Sequence, residues 1–205
     1  MRKKTEERRQ AILKSAVSVF WKAGYERASM SDIAQQLGCS KVTLYSYFTS
    51  KEELFYEAML EATEAKFAAL HATLQPQDDD VRGTLERFGV NAMEIVQSPQ
   101  VSGVRRLLIA EAGKQDSNIA KRCYELGPAR TNAVVAAYLQ ELMSAGKLRC
   151  ADPMVASLHL RALLEAEWLD AYLYGTLETV SNKQRKEAVE RAVDTFLRGF
   201  ALQEQ

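Results

Sequence analysis

The chain has 205 residues, 47% of them hydrophobic, with 27 basic and 27 acidic side chains that cancel to a formal net charge of zero. That length suits one or two small domains with a sizeable core. No run approaches the 18 apolar residues that a membrane span needs, and the charged N-terminus has no cleavable apolar core, so a cytoplasmic protein is expected. The three cysteines, Cys39, Cys123 and Cys150, are too few and too scattered for a disulfide framework or a zinc site. Zero net charge also hides an asymmetry. Residues 1–50 hold nine Lys/Arg against four Asp/Glu, and residues 51–205 hold eighteen against twenty-three. A basic head on an acidic body points to a head that meets a polyanion.

Apolar residues recur at helical spacing and never in sustained alternation, so the expected fold class is all-α. In the first segment Ile12, Ala16, Val19 and Phe20 share a face, and Gly24 supplies a stop. In "SMSD", Ser29 can cap a short helix over Met30–Leu37, with Asp32 as its capping-box partner. Gly38 ends that helix, and Ser40 can cap a second short one. Ser50 and Glu53 form a second capping box, opening a helix whose apolar spacing persists to about Leu74. After the break "QPQDDD" (Gln75 to Asp80), helices are expected at about 80–97, 100–113, 128–145, 153–174 and 182–203, with a shorter one near 117–126.

Two short helices around a glycine turn, preceded by a longer amphipathic helix, form a helix-turn-helix pattern. The second helix begins the stretch "SKVTLYSYFTSKEEL", after its cap Ser40. Leu44 and Phe48 point together toward a core, while Val42, Thr43, Tyr45 and Ser46 fall on the outer half, flanked by Lys41 and Tyr47. Hydroxyls and a lysine suit phosphate oxygens, and Val42 suits a thymine methyl. Lys51 and the arm Arg2, Lys3 and Lys4 offer further phosphate contacts, as do the backbone N–H groups at the Ser29 helix start.

Across Thr5–Leu54, and above all in "DIAQQLGCSKVTLYSYFTSKEEL", the chain resembles the TetR family of transcriptional regulators. Cys39 departs from the aliphatic residue more usual there, and a thiol is an acceptable small hydrophobe in its place. The resemblance implies an N-terminal three-helix helix-turn-helix DNA-binding domain at residues 1–50. It also implies a C-terminal helical effector-binding and dimerisation domain at 51–205, with helix 51–74 connecting the two. By motif position the DNA contacts fall at Ser40, Lys41, Val42, Tyr45, Ser46, Tyr47 and Lys51. The implied protein is a homodimer, most often a repressor, that binds a palindromic operator and is released by a small molecule.

The marks Ala110–Glu111–Ala112, Gly127–Pro128, Gly146 and Asp152–Pro153 are similar to those of the C-terminal domain of the AefR-like subgroup. Helices at about 153–174 and 182–203 are the expected dimer contacts. The first carries apolar residues on nearly every side: Leu158, Leu160, Leu163, Leu164, Trp168, Leu169 and Tyr172. Candidate effector-lining residues are Phe88, Met93, Leu107, Tyr138, His159 and Trp168, which suit a hydrophobic or aromatic molecule. No cofactor and no metal is expected. The only two histidines, His71 and His159, sit in no catalytic or metal-binding motif, so the chain does not read as an enzyme. Two alternatives stay open: an activator of the same fold, and a redox-responsive regulator using Cys39.

Overall fold

The computed structural model describes residues 5–74, 79–112, 118–176 and 179–202. The arm Arg2–Lys4 and most of the "QPQDDD" break lie outside the described residues. The described residues are helical, with no strand among them. The chain divides into two compact units, one of Met1–Ala65 with Gly103–Leu126 and the other of Lys66–Ser102 with Gly127–Gln205. The three divisions all fall inside helical segments, between Ala65 and Lys66, between Ser102 and Gly103, and between Leu126 and Gly127.

The first unit begins with α1 (Glu6–Arg27), whose helical geometry is interrupted at Gly24. It is followed by α2 (Met30–Leu37), α3 (Lys41–Tyr47) and the start of α4 (Lys51–His71). The local chemistry matches the chain's punctuation. Ser29 accepts from the Asp32 N–H at 3.2 Å while Asp32 accepts from the Ser29 N–H at 2.9 Å, closing the capping box. At α4 the box is offset. Ser50 accepts from the Glu53 N–H at 3.1 Å, but the Glu53 carboxylate takes the backbone and hydroxyl of Thr49 rather than returning to Ser50. Around these starts Ile12, Leu13, Ile33, Leu44, Phe48, Leu54 and Phe55 form a closed core. Phe55 meets both Phe20 and Tyr25 edge-on at 5.0 Å between ring centroids.

The second unit holds α5 (Val81–Gln97), α8 (Arg130–Ser144), α9 (Pro153–Glu165), α10 (Leu169–Leu173) and α11 (Asn182–Phe200). Between α5 and α8 the chain forms α6 (Pro99–Glu111) and α7 (Ile119–Tyr124). A π-helical turn at Glu125–Ala129 contains Pro128, so the Gly-Pro pair, expected to open a helix, sits inside a helical turn. Leu85, Phe88, Leu139, Leu142, Leu160, Leu164, Val189, Val193 and Phe196 build the core.

The single helix expected over 153–174 is two helices. The chain breaks at Ala166–Trp168, where Trp168 leaves helical geometry. A straight helix with apolar residues all round cannot cover them all within one subunit. The break turns α10 so that Tyr172 is buried, its hydroxyl 3.4 Å from the Val96 carbonyl. Just before the break Glu165 pairs with Arg161 at 2.9 Å, and within it Glu167 takes two bonds of 2.8 Å from Arg191 of α11.

Candidate nucleic-acid interface

The turn between α2 and α3 depends on one backbone conformation. Gly38 lies at φ 67°, ψ 39°, its N–H bonds back to the Gln35 carbonyl at 3.1 Å, and the Cys39 N–H bonds to the Ala34 carbonyl at 2.9 Å. This is the left-handed C-terminal cap that a side chain disfavours, and it redirects the chain within two residues. Ser40 then caps α3, accepting from the Thr43 N–H at 3.1 Å. At seven residues α3 is too short to persist alone. Leu44 and Phe48, both essentially buried, fasten it to the unit's core. Arg9 adds a cover over the Phe48 ring at 5.5 Å and pairs with Glu57 of α4 at 2.9 Å.

The opposite side of α3 faces solvent. Val42 is 79% exposed and Tyr45 51% exposed, large values for apolar and aromatic side chains. Ser40, Lys41 and Ser46 are exposed beside them. The Ser46 hydroxyl donates to the Thr43 carbonyl at 2.7 Å, which leaves its oxygen lone pairs as outward acceptors. Tyr47 is half-buried, and its hydroxyl accepts from the Thr5 N–H at 3.2 Å, joining the start of α1 to the end of α3. Lys51 differs from the other candidates. Its ammonium turns inward and donates to the carbonyls of Tyr25 at 2.7 Å and Ala28 at 3.1 Å. The ammonium is also 4.2 Å from the centre of the Tyr25 ring. Two acids nearby are held ionised by their caps. The Ser29 hydroxyl and backbone keep Asp32 below its ordinary range, and those of Thr49 do the same for Glu53.

A short helix with an exposed apolar, aromatic and cationic face, set by a glycine turn, suits a major-groove reader. Comparison with known proteins agrees. Residues 12–58 match the family model for bacterial regulatory proteins of the tetR family, and residues 83–201 match that for the C-terminal domain of AefR-like transcriptional repressors. The chain belongs to the TetR family. TetR-family proteins are DNA-binding transcriptional regulators, not enzymes.

Relatives of this TetR-family chain include the transcriptional repressor ComR of Escherichia coli, 43% identical over 81 residues, 39% of this chain and 38% of that protein. The transcriptional activator FasR of Mycolicibacterium smegmatis is 33% identical over 86 residues, 40% of this chain and 39% of that one. The matches thus span less than half the length of these curated relatives. A TetR-family regulator from Mesorhizobium loti has a solved structure with a TM-score of 0.87 and 25% identity, covering 97% of this chain and 100% of that chain. The flavonoid-responsive regulator FrrA shares the fold, with a TM-score of 0.77 at 24% identity over 98% of this chain and 100% of that one.

The effector candidates separate. Phe88, Met93 and Tyr138 sit together in the core of the second unit, each 3% exposed. His159 is on an exposed face of α9, its ring 6.2 Å from that of Phe200. Trp168 is half-buried at the break before α10, and the side chain of Leu107 lies outside the described residues. Among the described residues no three His, Cys, Asp or Glu side chains are grouped to hold a metal, and no helix is long and apolar enough to cross a membrane.

Proposed function

We propose that this TetR-family regulator is a cytoplasmic homodimeric repressor whose two α3 helices read successive major grooves of a palindromic operator. Residues 1–50 read DNA, and residues 51–205 dimerise and bind the effector, with helix 51–74 connecting them. One observation carries the reading: α3 buries Leu44 completely while presenting Val42, Tyr45 and Lys41 to solvent. Val42 and Tyr45 offer apolar contact to base edges. Ser40, Lys41, Ser46 and Tyr47 offer hydrogen bonds to phosphate or base.

Dimerisation draws support from Met154, Val155 and Leu158 of α9, apolar side chains each more than 40% exposed. Two such faces, with α11 beside them, give a four-helix interface that fixes the half-site spacing. The effector is a small hydrophobic or aromatic molecule that favours a form whose heads are wrongly spaced. A coupling of about 1–3 kcal/mol lowers operator affinity roughly 5- to 150-fold.

Selection of bound duplexes from a random pool tests the reading. It should recover an inverted repeat bound by two chains, at an affinity that falls steeply with salt. Recovery of no sequence preference would overturn it. Repression is favoured over activation by the subgroup model that matches residues 83–201, which describes repressors. Footprinting against the promoter separates the two: a footprint over the core promoter supports repression, one upstream supports activation.

A further inference from the structure

Lys51 occupies the first position of α4. A cation there opposes the helix's own dipole, whose N-terminal end is positive and which Glu52 and Glu53 already complement. The unfavourable placement has a counterpart across the unit. The ammonium donates to the carbonyls of Tyr25 at 2.7 Å, Ala28 at 3.1 Å and Glu26 at 3.4 Å. These are acceptors in the single turn that follows the interruption of α1 at Gly24, where carbonyls lack helical partners. An ammonium has three donors, and three carbonyls surround this one. Tyr25 is fixed from a second side by Phe55, one turn further along α4, edge-on at 5.0 Å.

The clasp joins residues 25–28 to residue 51, and everything between them is α2, the turn and α3. It therefore closes the base of the helix-turn-helix as a loop. We propose that Lys51 is a positioning residue for the recognition helix: its ammonium holds the end of α1 against α4 and does not neutralise a DNA phosphate. This rests on the assignment of α3 as the DNA-reading helix.

The salt dependence of binding discriminates the two roles. Each neutralised phosphate contributes about 0.9 to the slope of log affinity against log salt. Fluorescence anisotropy with the selected operator, from about 50 to 200 mM salt, is compared for the full-length wild type, Lys51→Met, Lys51→Arg and Lys41→Met. All are measured well below their melting temperatures. Lys51→Met should bind about tenfold more weakly at every salt concentration with the wild-type slope, and melt about 3–6 °C lower. Lys51→Arg, which keeps the charge and donors, should recover most of the affinity. Lys41→Met should instead lose about 0.9 of slope without a change in melting. A Lys51→Met protein that loses the same slope and melts like the wild type would overturn the clasp in favour of a phosphate contact. Should the wild type bind no duplex, the reading of α3 fails. The clasp is then judged by melting alone, a lowered Lys51→Met transition supporting it and an unchanged one refuting it.

Discussion

Leu44 and Val42 stand two residues apart on α3 and face opposite ways, one with no exposed surface and the other 79% exposed. Truncating Leu44 removes the contact that makes a seven-residue helix tenable. Leu44→Ala should cost about 2–4 kcal/mol in urea unfolding. Val42→Ala should stay within about 0.5 kcal/mol of the wild type yet relax sequence preference at one position of each half-site. If the two variants lost equal stability, Val42 would belong to the core and not to the reading face.

A close approach in the second unit gives a sharper test of packing. A Cβ built on Gly89 of α5 would lie 2.7 Å from Val189 Cγ1 and 2.8 Å from Leu164 Cδ2. The helix can pass α9 and α11 at this distance only because residue 89 has no side chain. Gly89→Ala should destabilise by about 1–3 kcal/mol despite the better helix propensity of alanine. Adding Val189→Ala should recover part of that loss, because one of the two obstructions is removed. The measurement is the non-additivity of the double-mutant cycle in denaturant.

Much of the architecture was legible because it is locally encoded. Ser29 with Asp32, Gly38 and Ser40 are separated by a few residues, so their caps follow from spacing alone, and they set both ends of α2 and the start of α3. The inward Leu44 and outward Val42 follow from 100° per residue. Long-range partners were not legible. Nothing near Lys51 announces that its ammonium meets carbonyls 23 to 26 residues earlier. Nor does the sequence near Arg149 show that it closes the end of α11, donating to the Phe200 and Gly199 carbonyls at 3.0 and 2.8 Å. The break at Ala166–Trp168 escaped for a related reason. Apolar residues on all sides predict a covered helix, but only the neighbouring elements decide that two shorter helices cover them better.

The caps make the first unit sensitive to acid. Asp32 and Glu53 both ionise more readily folded than unfolded, because Ser29 and Thr49 donate to their carboxylates. Each therefore adds stability that is fully present above the ordinary carboxylate range and is lost as pH falls through the lowered folded value. Asp32→Asn and Glu53→Gln should melt below the wild type at pH 7, with the gap closing in strongly acidic buffer. A gap that stayed constant with pH would mean that charge has no part in these caps.

The thiols should react in an order set by their surroundings. Burial pushes Cys123 up to about 11, with neighbouring Arg122 offsetting only part of the effect, whereas Cys150 is exposed. Near pH 8 almost none of Cys123 is thiolate, so a thiol-reactive chromophore should label Cys150 first and Cys123 slowly. Half-buried Cys39 packs against the core of the first unit. Cys39→Ser should leave operator binding under mild peroxide unchanged from that of the wild type. Loss of a peroxide response in that variant would restore the redox-responsive alternative.

The proposed dimer makes the last prediction. Val155 and Leu158 lie three residues apart on α9, on the side that the protein's own core does not cover: inward of them Ala156 and Leu160 are buried, while Val155 and Leu158 remain about half exposed. A solvent-facing α9 would tolerate charge there at little expense. An interface would not, since a partner subunit would bury an unpaired carboxylate. Leu158→Glu should raise the dimer dissociation constant at least about 100-fold, shifting mass in size-exclusion light scattering toward the monomer while helical content is kept. Operator binding should fall with it, because two linked heads bind an inverted repeat far more tightly than one. A variant that retained both the wild-type mass and its operator affinity would place the interface elsewhere and return this face of α9 to solvent.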